Sequence, residues 1–112
     1  MVKWLNIELA TKWNRLQDFG DKINLAEEIL AYWRKLSDEN SLLYYQYLRA
    51  SDFKLYLQDL IHDGNRDCGT LLDYIGRSRK DGIQWSQSLW TACQRLLEKI
   101  RHAEIFELMI NK

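Results

Sequence analysis

No proline interrupts the 112 residues of this chain, and apolar side chains recur at helical spacing almost from end to end. Proline breaks helices because its ring locks φ and removes an N–H, so nothing of that kind limits helix length here. Leu9, Trp13 and Leu16 fall at i, i+4 and i+7, one face of a first predicted helix over residues 3–18. Asp18-Phe19-Gly20-Asp21 supplies a stop and a fresh N-cap. A second helix, 22–36, carries Ile23, Ala26, Leu30 and Trp33 on its apolar face, with Ile29 beside them. Ser37-Asp38-Glu39-Asn40 is polar and cap-rich and reads as a turn. Residues 41–62 hold two stripes, Leu42, Tyr45 and Leu48, then Phe53, Tyr56, Leu57, Leu60 and Ile61. Ala50-Ser51-Asp52 between them favours two helices, 41–50 and 52–62, over one bent helix. Four of the five glycines lie between Gly64 and Gly82. Asp63-Gly64-Asn65-Arg66-Asp67-Cys68-Gly69 therefore reads as the clearest loop in the chain. Thr70 and Asp73 resemble a capping box and open a fifth helix, 70–79. Lys80-Asp81-Gly82 is a turn, and Ser86 or Ser88 caps a last helix running to residue 109. Leu89, Cys93, Leu96 and Ile100 form its buried stripe, widened by Trp90, Leu97, Ile105, Phe106 and Met109. The expected fold is all-α, a compact bundle of five to six helices in a single domain, 1–112.

The charges cancel but are sorted. Residues 1–17 carry three bases against one acid, 18–73 six bases against eleven acids, and 74–112 seven bases against four acids. Net charges of +2, −5 and +3 follow by subtraction. A basic stretch is the usual footprint of a nucleic-acid contact. Arg77, Arg79 and Lys80 close the fifth predicted helix, where cations also complement the helix dipole. On the last helix, Arg95, Lys99 and His102 at i, i+4 and i+7 predict a positive ridge, with Arg101 across its rim. Lys12 and Arg15 on the first helix extend this patch if they fold onto the same side. Gln84, Gln87 and Gln94 add neutral hydrogen bonds suited to phosphate or sugar. The bland alternative is a solvated helix face. No short turn precedes a polar recognition helix, so a backbone-tracking mode is favoured over base reading in a groove.

Catalytic and metal signatures are missing. Asp63, Asn65 and Asp67 mimic the opening of a calcium loop, but Cys68 stands where glycine is needed and Tyr74 where the bidentate Glu is needed. His62, Cys68, Cys93 and His102 have no zinc-ligand spacing, and no Gly-rich phosphate loop occurs. The Arg-x4-His spacing of small helical nucleases is also absent, since Leu57 and Leu97 occupy the arginine positions ahead of His62 and His102. No cofactor, metal or enzymatic activity is expected. The start, Met1-Val2-Lys3-Trp4-Leu5-Asn6, has no long apolar core, and no run approaches the ~18 apolar residues of a membrane span. Two cysteines without a leader read as free thiols in a reducing compartment, so the expected location is cytoplasmic. Five Trp and six Tyr are many for this length. Tyr44 and Tyr47 are candidates for an outward-facing protein contact, as are Phe106 and Trp85, the latter either a packing staple or an exposed anchor.

A helical chain of this size, with the basic positions above, an acidic middle (Glu27, Glu28, Asp38, Glu39, Asp59, Asp63) and excess aromatics, resembles the small subunit of CRISPR effector complexes. The resemblance covers the whole chain and rests on size, helicity and charge layout. It implies a five- or six-helix bundle within a larger multi-subunit complex, partnered by crRNA and target DNA or RNA. It also implies a role in antiviral defence without catalysis. A protein–protein module without nucleic acid, such as an immunity protein, an anti-CRISPR-type inhibitor or an adaptor, is the alternative.

Overall fold

In the computed structural model, backbone is described for residues 11–47 and 51–110, and side chains for 11–38 and 56–105. A short helical stretch over 11–15 leads into three long helices: α1 (Phe19–Tyr47), α2 (Ser51–Asp81) and α3 (Ser86–Ile110). A single 3₁₀ turn, Gly82–Trp85, joins α2 to α3. All three pairs of long helices touch. At about 1.5 Å per residue, the 31 residues of α2 account for the molecule's 47 Å long axis.

The punctuation before α1 is as the sequence suggests. Asp18 accepts a hydrogen bond from the Gly20 amide at 3.2 Å, and its carbonyl receives the Lys22 amide at 3.3 Å. Asp18 is thus the N-cap. At the other end of the ordered core, Gly82 adopts φ +83°, the left-handed conformation that closes α2 with no Cβ penalty. The all-α class holds, but the described residues form three long helices rather than five or six, and two expected breaks are absent. Residues 37–40 lie inside α1, where the Ser37 hydroxyl donates to the Arg34 carbonyl at 3.1 Å instead of capping a new helix. Residues 63–69 lie inside α2, so helices 52–62 and 70–79 are one. Thr70 caps nothing; its hydroxyl donates to the carbonyl of Arg66, one turn back, at 3.2 Å. Of the division expected at Ala50-Ser51-Asp52, Ser51 and Asp52 open α2, and Ala50 lies outside the described residues, which resume at Ser51 after α1 is described to Tyr47. Residues 3–10 of the first predicted helix, Leu9 included, lie outside the described residues.

Gly64 explains why the second break fails. It is buried inside α2 against the indole of Trp33 on α1, so close that a Cβ there would stand 1.9 Å from Trp33 Cζ2. The same indole donates from Nε1 to Asn65 Oδ1 at 3.0 Å. A mid-helix glycine costs about 1 kcal/mol relative to alanine. Here it opens a notch for one of the largest side chains in the core. The glycine and asparagine that look like loop chemistry are a socket for a tryptophan.

Around this crossing the core is continuous. Ile23, Ala26, Ile29, Leu30 and Trp33 of α1 meet Leu60, Cys68, Leu71 and Ile75 of α2 and Leu89, Cys93, Leu96 and Ile100 of α3. The stripes over 23–33 and 89–100 are therefore the buried faces they were expected to be, whereas Tyr56 and Ile105, expected on apolar faces, are exposed, and Leu42, Tyr45, Leu48, Phe53, Phe106 and Met109 lie outside the residues whose side chains are described. Trp13, from the N-terminal stretch, stacks on Trp90 with centroids 4.8 Å apart and planes inclined by 23°, extending the core over the outer edge of α3.

Candidate nucleic-acid interface

Four of the nine basic positions are tied to acids of the same chain. Lys12 lies 3.7 Å from Glu28 of α1. Arg77 pairs with Asp73 one turn earlier at 3.0 Å. Arg79 pairs with Glu27 of α1. Lys99 pairs with Asp67 of α2 at 3.2 Å, with both side chains largely sheltered. The expected ridge Arg95–Lys99–His102 is thereby broken at its centre, because Lys99 turns inward to close the α2–α3 seam. Lys12 pairs with Glu28 of α1, while its neighbour Trp13 stacks on Trp90 of α3. Arg15, Lys80, Arg95, Arg101 and His102 are exposed and have no ion pair among the described residues.

Helix geometry divides those that remain. At 100° per residue, Arg95 and His102 share the shoulder of α3 that faces α2, Arg101 and Gln94 share the opposite shoulder, and Glu98 projects between them. Glu104 is buried. Glu98 is thus the one carboxylate on the exposed part of α3 among the described residues.

Trp85 is a staple rather than an exposed anchor. It is partly buried, its ring 5.9 Å from that of Tyr74 on α2, and the Arg77 guanidinium lies 5.1 Å from its centroid. Asp73 also pairs with that guanidinium, so acid, cation and two tilted rings cluster at the 3₁₀ turn. Trp85 Nε1 is buried with no hydrogen-bond partner among the described residues. The side chains of Tyr44, Tyr47 and Phe106 lie outside the described residues. Asp63, Asn65 and Asp67, the calcium-like triplet, diverge on a continuous helix: Asp63 pairs with Arg66 at 2.7 Å, Asn65 takes the Trp33 N–H, and Asp67 takes Lys99.

Comparison with protein-family models, curated proteins and solved structures finds no match. The surface itself must carry the reading. Two features of it escaped the sequence. Beside the Trp85 cluster, α2 and α3 part to leave a hollow of about 200 Å³, walled by Thr70 and Tyr74 on one side and Gln87, Ser88, Thr91 and Arg95 on the other. The i, i+4 spacing of Asp73 and Arg77 was visible; nothing local connects Thr70 to Arg95. Another hollow, about 510 Å³, lies at the start of α1 against Ser78 and Arg79. Asp18 and Asp21 line it and Arg79 is already engaged by Glu27, so it is a poor seat for an anion. Among the described residues no helix is long and apolar enough to cross a membrane.

Proposed function

We propose that this chain is a non-catalytic helical subunit that holds nucleic-acid backbone on the exposed face of α3. One observation carries the reading: Arg95, Arg101 and His102 stand there with Gln87 and Gln94, and Glu98 is the one exposed carboxylate of α3 among the described residues. Cations with neutral hydrogen-bonding neighbours are the usual composition of a phosphate-positioning surface. The resemblance to the CRISPR small subunit adds packing within a larger complex, a crRNA or target strand as ligand, and antiviral defence. The three long helices depart from the helix count it implies.

Anisotropy titration of labelled oligonucleotides at 25–200 mM salt tests the reading. Each phosphate contact contributes about −0.7 to −0.9 to the slope of log K against log salt. Replacing both Arg95 and Arg101 with Glu is expected to weaken binding roughly tenfold or more at low salt and flatten the slope by about 1 per residue. Binding unchanged by that double reversal refutes the surface. A second reading, a protein–protein module, is favoured by two exposed large apolar side chains, Leu72 of α2 at 48% and Ile83 of the 3₁₀ turn at 72%. A protein partner retained after nuclease treatment, with no oligonucleotide shift, selects it.

A further inference from the structure

The α2–α3 hollow has the size and walls of a site for one small planar group. At about 200 Å³ it is smaller than the roughly 300–1,000 Å³ of pockets for drug-sized ligands. Its lining includes no carboxylate and one cation, Arg95, which has no ion pair among the described residues. The Thr70 and Thr91 hydroxyls donate to the carbonyls of Arg66 and Gln87 at 3.2 and 2.9 Å, leaving their oxygens as acceptors. Tyr74, Gln87 and Ser88 bring side chains that both donate and accept. One wall is an aromatic ring already fixed in place. Tyr74 is braced by Trp85 and by Arg77, whose guanidinium is 5.9 Å from the Tyr74 centroid and is itself anchored on Asp73. A ring held this way loses little freedom when something stacks on it.

We propose that the hollow receives a single unstacked nucleobase against Tyr74, with the adjoining phosphate on Arg95. The ligand class is therefore single-stranded nucleic acid. This inference rests on the nucleic-acid reading above and narrows it. Bases inside a duplex are stacked on one another and cannot enter, whereas a single strand offers each base's face to an aromatic platform.

The test compares three probes at one low salt concentration with the full chain: a labelled 15-mer of thymidine, a 15-mer deoxyribose-phosphate strand lacking bases, and a 15-bp duplex. The thymidine strand is expected to bind at least about fivefold more tightly than the baseless strand, the low end of base–aromatic stacking. Thr91→Met fills the hollow without changing charge. It is expected to remove that advantage while leaving the baseless strand's affinity unchanged; Ser88→Leu repeats the test if Thr91→Met fails to fold by circular dichroism. Equal affinity for thymidine and baseless strands, insensitive to both fillings, overturns the inference and leaves backbone binding standing. Failure of all three probes to bind removes the backbone reading, and the inference with it.

Discussion

The α1–α2 crossing and the α2–α3 seam near the 3₁₀ turn are built on opposite plans. At the crossing, Trp33 fills a notch cut by Gly64 and donates its one N–H to Asn65, leaving no unmet donor at that indole. At the seam, Trp85 keeps a buried N–H without a partner among the described residues, a cation lies near the rings, and a hollow opens beside them. A closed apolar contact does nothing but hold helices together. An open one with unspent polar groups costs stability and leaves somewhere for a ligand to go. On the proposed reading, the first site does structural work and the second receives the ligand.

The contrast is most easily broken at Gly64. Gly64→Ala drives a methyl into the indole, so the helices must separate or Trp33 must leave its rotamer. A loss of about 2–3 kcal/mol is expected in urea denaturation, and a change below 0.5 kcal/mol would mean the notch is not needed. The next effect is seen only in alkali. Burial pushes the Cys93 thiol up from 9.0 to about 12. The folded state keeps that proton over a range where the unfolded chain has released it, so this contribution is fully present below pH 9 and is lost progressively as pH rises towards 12. Cys93→Ala is expected to flatten the fall in stability over that range, at some loss of packing near pH 7. An unchanged alkaline limb would show the thiol to be wetter than its place in the core implies.

Smaller effects are expected along the seam. Lys99→Met leaves Asp67 sheltered without its partner and is expected to cost about 1 kcal/mol by thermal denaturation. The double change Lys99→Met with Asp67→Leu should recover much of that loss. No recovery would show that the pair does more than neutralise itself. Smallest of all is Trp85→Phe, which removes the orphan N–H but keeps a ring beneath Arg77. Its stability is expected to stay within about 0.5 kcal/mol of the parent, whereas a loss above 2 kcal/mol would reveal an important partner for that N–H and would make the two regions alike.

Much of the helical content was legible because its signals are local. Leu89, Cys93, Leu96 and Ile100 are one stripe at a fixed period, and burial follows from the period. Asp18 caps α1 through contacts two and four residues away, within reach of any reading of the chain. The misread segment 63–69 differs in kind. Asp, Gly and Asn there have low helix propensity, and all but Gly69 meet a partner elsewhere or on the next turn: Asp63 meets Arg66, Gly64 and Asn65 meet Trp33, Asp67 meets Lys99. At Gly64, Asn65 and Asp67 tertiary contacts overrode propensity, and such contacts leave no local trace.

The candidate surface divides the same way. Residue order by itself determined which side chains share a helix face, so Arg95 and His102 were rightly placed together. It also determined that helices would form, since no proline and a steady apolar period leave little else available. Only the tertiary structure decided which cations remain exposed without an acid. Lys12, Arg79 and Lys99 are held by acids on other elements, brought near by the packing of the N-terminal stretch and α2 against α1 and of α3 against α2. A charge's sign belongs to its residue, but its availability depends on what folding sets beside it.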